Sequence, residues 1–257
     1  MALEKGTLIF ADYTAKVKDT GEVIETTSAD EAKKFNVFEE SRKYEPRLVA
    51  VGEGWLISGL DAEVGKLGVG DKKTIELAPD KAFGTRDPTQ VRMIPLRKFG
   101  EKEHELEVGD SVDVDNRVGI IRFIGSGRAQ VDFNHRLAGK SIVYDFAVLR
   151  KVETDEDKVG ALIDRRLGGE SSKPTFEMSG ADLKVSIPED EFLIEGLQII
   201  KRGISNDVFK FVPTVASLTF AEKFTNQKAQ PKKEEPKPAE PSAPKPRKKK
   251  AAPAQTA

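Results

Sequence analysis

The chain predicts an α+β protein built as an antiparallel β-sheet wrapped on a short helix. A small all-β unit interrupts it, and an α-β-β-α-β module and a Lys/Pro-rich tail follow. Three observations carry this. Segments with strand-like alternation flank a single short stripe at helical spacing, Leu60, Val64 and Leu67. From Thr89 the texture changes to short strands separated by Gly-Asp, Asp-Asn and Gly-Ser-Gly turns, the pattern of a small all-β unit. Lys140–Val152 then reads as one long strand, and a lone strand after a separate unit needs an earlier sheet as its partner.

Taken in order, Leu3–Lys18 reads as a strand through Leu8, Phe10, Tyr13 and Val17, and the turn Asp19-Thr20-Gly21 leads into a second strand, Glu22–Thr27. Ser28–Arg42 changes period and suggests a short connecting helix that ends before Pro46. Leu48–Val51 is a short apolar strand feeding Gly54–Gly70, where Ser58 stands as N-cap with Asp61 answering it three residues on. Thr74–Leu77 resumes as a strand, so that Trp55, Leu56, Ile57 and Leu60 converge beside a helix start. Val91–Leu96, Ser111–Val114, Gly119–Ile124 and Ala129–Phe133 make the all-β unit. In the long strand Ile142, Tyr144, Phe146 and Val148 alternate and, after a slip in phase, Val152 follows. Thr154–Leu167 begins as a helix with a Thr-x-x-Asp cap. Strands at Phe176–Met178 and Leu183–Ile187, a helix from Glu189 through Ile204 and a strand Thr214–Phe224 complete the module.

Charge is unevenly spread. The formal net charge is −1 over 257 residues, yet from Asn226 onward there are nine Lys or Arg against three Glu, together with seven of the fourteen prolines. Residues 226–257 carry no branched or aromatic apolar side chain, cannot offset the entropy of ordering, and are expected to be a disordered tail. The absence of cysteine excludes disulfides and thiolate chemistry. No apolar run reaches membrane-spanning length and the amino terminus lacks the pattern of a secretory signal, so a cytoplasmic location with no membrane partner is expected.

The chemical inventory is narrow. His104 and His135 stand far apart outside any ligand-spaced cluster, so no metal site is expected, and no Gly-rich phosphate loop or nucleophile elbow is present. An enzyme with this inventory works through an apolar pocket and a few polar groups, with no cofactor. The runs Trp55-Leu56-Ile57-Ser58-Gly59-Leu60, Val69-Gly70-Asp71, Ala78-Pro79-Asp80-Lys81-Ala82-Phe83-Gly84 and Val131-Asp132-Phe133-Asn134-His135-Arg136-Leu137-Ala138-Gly139-Lys140 resemble the FKBP class of peptidyl-prolyl isomerases. The likeness is closest to the SlyD-like and long archaeal forms. It implies an FKBP-like isomerase domain of residues 1–87 and 138–153, an insert-in-flap chaperone domain at 88–137, a C-terminal module at 154–225 and the tail.

The resemblance places Tyr13, Ile24, Glu25, Leu56, Ile57, Leu60, Phe83 and Tyr144 around the catalytic pocket. Leu56 and Ile57 would form floor and wall, and the Ile57 backbone N–H would hold a substrate carbonyl. Three positions depart from the family pattern: Glu25 stands for the usual Asp, Leu60 for a frequent Trp, and Phe83 for a Tyr, which removes a hydroxyl. Implied partners are unfolded or partly folded polypeptides and their Xaa-Pro segments.

The insert holds more apolar residues than a unit of about fifty residues readily buries. Val91, Met93, Ile94, Leu96, Phe99, Ile120 and Phe123 are therefore the expected client-binding residues, although Phe123, alternating with Ile121 on one strand, also fits the insert's own core. Two other functions stay open at this point. One is a holdase or peptide-binding module with little isomerase activity. The other is a nucleic-acid partner for Lys-Pro-Arg-Lys-Lys-Lys at 245–250, against which the missing aromatics and the acidic body weigh. A homodimer through the C-terminal module is likewise open.

Overall fold

The computed structural model describes residues 2–167 and 174–224. The expected tail and its basic run lie outside them. Among the described residues no helix is long and apolar enough to cross a membrane.

Strand β1 (Leu8–Val17) is the axis of the first sheet. On one side it pairs antiparallel with β2 (Val23–Thr26) and, nearer its start, with a third strand at Arg47–Ala50. Between these two lies α1 (Ala29–Lys34), capped by Ser28, whose Oγ accepts the Glu31 N–H at 3.4 Å. The Arg47–Ala50 strand is β3. Helix α2 (Ser58–Val64) and strand β4 (Lys72–Leu77) follow.

The other side of β1 is covered along its whole length by the returning strand Ile142–Lys151, which also pairs with β4. The expected partner sheet for that lone strand is thus the one found. Residues Ile9, Ala11, Tyr13, Ala15 and Val17 point to the α2 side and bury with Leu60, Val64, Tyr144 and Phe146.

Helix α2 starts differently from the sequence reading. Ile57, not Ser58, is the N-cap residue, and no side chain caps the helix. Asp61 is unavailable for that work, because its Oδ1 accepts the Gly52 N–H at 2.8 Å and its Oδ2 the Gly54 N–H at 3.0 Å. The helix also lies very close to the turn after β4: a Cβ on Gly59 would sit 2.5 Å from the Lys81 carbonyl oxygen. Gly59→Ala is therefore expected to cost about 1–3 kcal/mol by overpacking. A melting temperature equal to wild type would show that the 79–81 turn yields freely.

The insert is a four-stranded antiparallel sheet of β5 (Val91–Pro95), β6 (Ser111–Val114), β7 (Arg117–Gly125) and β8 (Arg128–Asp132), in the order β5-β8-β7-β6. Ile94, Val112, Val114, Ile121, Ala129 and Val131 form its own small core. The long strand that follows is β9 (Ile142–Lys151). The slip in phase read from its sequence is a bulge. Phe10 pairs with Arg150 and Ala11 with Val148, which leaves Leu149 extra and turns Val152 to the opposite face.

That opposite face is covered by the C-terminal module. It comprises α3 (Asp155–Leu167), β10 (Thr175–Ser179), β11 (Asp182–Ile187), α4 (Leu197–Phe211) and β12 (Ser217–Glu222), the expected α-β-β-α-β order. The Thr154 cap holds, its Oγ1 accepting the Asp157 N–H at 3.1 Å. The second helix differs from expectation: a short turn at Glu189–Glu191 precedes it, and α4 begins only after Gly196, whose φ of +76° no helix interior accommodates. β11 pairs antiparallel with β10 and parallel with β12, the crossover running through α4. Leu8, Leu48, Ala50 and Val152 bury against Leu162, Ile163, Val208 and Phe211, so the start of β1 is covered on both faces.

Candidate functional site

Register brings the expected residues together. Tyr13 on β1 lies opposite Phe146 of β9, and Ala15 lies opposite both Tyr144 and Glu25, so the two tyrosines and the carboxylate come from three adjacent strands. The Tyr13 ring stacks on Phe146 at 5.9 Å and tilts against Tyr144 at 6.1 Å. Leu60, buried in the first turn of α2, closes the layer beneath. Ile24, Leu56, Ile57 and Phe83 pack on this cluster and are only partly buried, so they form its open surface. Among the described hydrogen bonds none uses the Ile57 N–H.

Glu25 is held by two arginines, Arg42 Nη2 at 3.1 Å and Arg47 Nη1 at 2.7 Å, and the same Arg47 nitrogen donates to the Tyr13 hydroxyl at 2.8 Å. Sequence reasoning missed Arg47, since nothing in its spacing ties it to Tyr13. Burial pushes the Tyr13 phenol up to about 12, with the Glu25 charge adding and Arg47 opposing. Burial likewise pushes Tyr144 up to about 12, again helped by Glu25. Both phenols stay protonated across the physiological range.

A phenol that holds its proton more tightly when folded stabilises the fold below the unfolded value of 10.0, and that contribution is lost as pH rises toward 12. Melting temperature is expected to fall over this window less steeply in Tyr144→Phe than in wild type. Identical slopes would contradict the burial of that hydroxyl.

Trp55 does not join the cluster. It turns to the C-terminal module, where its ring meets Phe211 edge-on at 5.5 Å and Arg165 stacks over it at 3.7 Å. The neighbouring Glu53 pairs with Lys210 of α4. The loop leading into Leu56 and Ile57 is thus gripped from one end by Asp61 and from the other face by α3 and α4.

The return from the insert explains its motif. The Asn134 side chain accepts the Asp87 N–H and donates to the Asp87 carbonyl, each at 2.9 Å, and so ties the two linkers together. His135 stacks on Phe83 at 5.0 Å, which braces the rim of the apolar surface. Leu137 is buried in the core beneath the first sheet, and the Gly139 N–H donates to the Gly84 carbonyl at 2.8 Å.

The expected client residues divide. Ile94 is buried in the insert core, and Leu96 and Phe99, each partly buried, pack against it. Met93 is 47% exposed and Phe123 56%, while Val91 and Ile120 are half-buried. Phe123 does not join Ile121 in the core, because a bulge intervenes: Ile121 pairs with Val131 and Phe123 with Gln130, leaving Arg122 extra. Gln130 is also opposite Met93, so Met93, Gln130 and Phe123 form one row across the sheet.

Two cavities lie elsewhere on the first sheet. One of about 440 Å³, lined by Asp12, Thr14, Lys72 and Asp145, opens on the face away from Leu60. The other, about 580 Å³, lies between α2 and β4 beside Glu63, Lys66 and Lys73. Of the expected site residues Tyr13 lines the first, and Leu56, Leu60 and Tyr144 line neither.

Comparison with known proteins agrees with this architecture along the chain. The model for FKBP-type peptidyl-prolyl cis-trans isomerases matches residues 1–98, that for the FKBP26 IF domain 92–137, and that for the FKBP26 C-terminal region 155–225. A short-type peptidyl-prolyl cis-trans isomerase of Methanocaldococcus jannaschii is 31% identical over 156 residues, covering 61% of this chain and 98% of that one. The FKBP-type 16 kDa isomerase of Escherichia coli K12 is 37% identical over 109 residues, 40% of this chain and 72% of its own. The isomerase SlyD of Helicobacter pylori J99 is 31% identical over 129 residues, 48% of this chain and 69% of its own. The chain belongs to the FKBP-type peptidyl-prolyl cis-trans isomerases, in the SlyD-like branch that carries an IF domain.

Proposed function

We propose that isomerisation takes place on the surface formed by Ile24, Leu56, Ile57 and Phe83 over the floor of Tyr13, Leu60 and Tyr144, with Glu25 holding Arg47 against the Tyr13 hydroxyl. The observation that carries this is the Ile57 N–H, which none of the described hydrogen bonds uses, on a residue of that surface. Rotation about an X–Pro bond faces a barrier of about 18–20 kcal/mol because the amide is conjugated. No covalent bond has to break. An apolar surface favours the twisted, less polar amide over the planar one, and a single N–H holds the preceding carbonyl in place while the bond turns. Because rotation breaks no bond it needs no acid or base, and the Tyr13 and Tyr144 hydroxyls stay protonated throughout the working pH range.

The insert's open face, with Val91, Met93, Ile120 and Phe123, serves as the client site, since exposed Met and aromatic side chains bind varied apolar segments. Met93→Ser with Phe123→Ser is expected to leave turnover of a proline tetrapeptide within about twofold and to slow proline-limited refolding of a whole protein several-fold. Refolding at the wild-type rate in the double variant would remove the client role from this face. A holdase with little turnover is the rival, and the tetrapeptide assay separates the two. In the C-terminal module Leu193, 95% exposed, and Ile199, 79% exposed, supply the apolar surface that a homodimer would cover. Sedimentation of Leu193→Ser against wild type tests that assembly.

A further inference from the structure

Two cavities flank the side chains of Arg86 and Arg122. One, of about 450 Å³, is lined by both arginines with Pro88, Val91 and Gln130, and Gln130 belongs to the row that carries Met93 and Phe123. The second, of about 250 Å³, is lined by the same two arginines with Asp132, His135, Arg136 and Lys140. His135 is the residue stacked on Phe83. A path therefore runs from the open face of the insert, past the arginine pair, to the rim of the isomerase surface.

That path is cationic. Asp132 is the carboxylate lining it, 4% exposed, and its lone pairs are in use. Oδ1 accepts the Asn134 N–H at 3.1 Å and Nδ2–H at 2.7 Å, and Oδ2 accepts Arg86 at 2.6 Å and Arg122 at 3.4 Å. Asp87, close by in the linker, turns its carboxylate onto the N–H and hydroxyl of Thr89 at 2.8 and 2.7 Å. Arg136 and Lys140 share Glu22, at 3.1 and 3.8 Å. Four cations thus face Asp132 and Glu22, with Asp87 as a third carboxylate beside them, an excess of one positive charge. A guanidinium has five N–H donors, so each arginine keeps donors free after these contacts. The side chains of Arg86, Arg122 and Arg136 are 50%, 44% and 58% exposed, within reach of an incoming chain.

We infer that this enzyme prefers polypeptides with acidic residues between the apolar segment held by the insert and the Xaa-Pro bond at the isomerase surface. The inference rests on the reading of the insert face as the capture site. A carboxylate crossing the saddle meets unused donors and an excess of positive charge, whereas a Lys or Arg there meets repulsion. The field of this cluster also speeds the approach of acidic chains.

The test uses the full-length protein and peptides that join an apolar anchor, a short spacer and a Leu-Pro reporter, in both chain orders. The spacer carries either two Glu or two Gln, and anchorless peptides serve as reference. At low salt, kcat/KM is expected to favour the Glu spacer about fivefold in at least one order, the size that a pair of exposed charge contacts supports. The ratio should fall to about one near 1 M salt, where the Debye length is about 3 Å. It should also fall to about one in Arg136→Gln/Lys140→Gln, which leaves the buried Asp132 with both of its arginines. Equal kcat/KM for Glu and Gln in both orders, while the anchor still improves both, would overturn the acidic preference alone. A preference that survives the double substitution undiminished would place it elsewhere, as in the basic tail, and overturn this assignment. Displacement of the Glu peptide by a stoichiometric RNA oligomer would give the saddle to nucleic acid and overturn it as well. Loss of the anchor's benefit on every peptide would refute the capture site, and this inference with it.

Discussion

Replacing Ile57 by Asp is expected to lower kcat/KM on a short Xaa-Pro peptide at least about tenfold, which corresponds to roughly 1.4 kcal/mol of lost transition-state preference. The fold is expected to survive. Ile57 is only partly buried, so its replacement gives up part of a side chain's burial, of order 1 kcal/mol. It is also the N-cap of α2, where no side-chain cap exists, and Asp is among the residues preferred there, contributing about 0.5–2 kcal/mol. The two effects oppose each other, so the substitution damages the apolar surface while supporting the helix beside it. Tyr13→Ala is a poorer probe, because Tyr13 is 5% exposed and stacked on Phe146, so truncation costs about 3–5 kcal/mol of core packing. Wild-type turnover in a folded Ile57→Asp protein, checked by circular dichroism, would remove this surface from the mechanism.

Excising the insert is expected to separate the two substrates. The structure says where to cut: Asn134 is bonded to the backbone of Asp87, His135 braces Phe83, and Leu137 belongs to the isomerase core. A chain in which residues 88–133 are replaced by a short Gly-containing turn keeps all three. Tetrapeptide turnover is expected to stay within a few-fold of wild type, while proline-limited refolding of a protein client slows about tenfold or more, because the insert no longer raises the local concentration of captured chain. Parallel loss on both substrates would mean that the insert supports the isomerase surface itself. Parallel retention would mean that it captures nothing.

Much of this protein is legible from residue order. Alternation in Leu8–Val17 and in Ile142–Val148, the helical stripe of Leu60 and Val64, and the turn chemistry of the insert are local properties, since side-chain direction repeats every two residues in a strand and about every 3.6 in a helix. These are enough for the α+β class and for the β unit interrupting a sheet; the grouping of Tyr13, Ile24, Leu56, Ile57, Leu60, Phe83 and Tyr144, which pack in one cluster, comes from the resemblance to the FKBP class and not from period. What period cannot say is which face a distant element covers, or where a strand slips. The bulge at Arg122 reverses the alternation and puts Phe123 outside, and the bulge at Leu149 sends Val152 to α3. Trp55 was expected beside Ile57 because they are neighbours in the chain, yet α3 and α4 offer Phe211 and Arg165 on the other side of the loop. Asp61 has cap spacing to Ser58 but answers two N–H groups of a glycine turn that only the fold brings within reach. In each case the local pattern leaves two outcomes open. Contacts between residues far apart in sequence choose one, because burial and hydrogen-bond satisfaction are properties of the assembled chain.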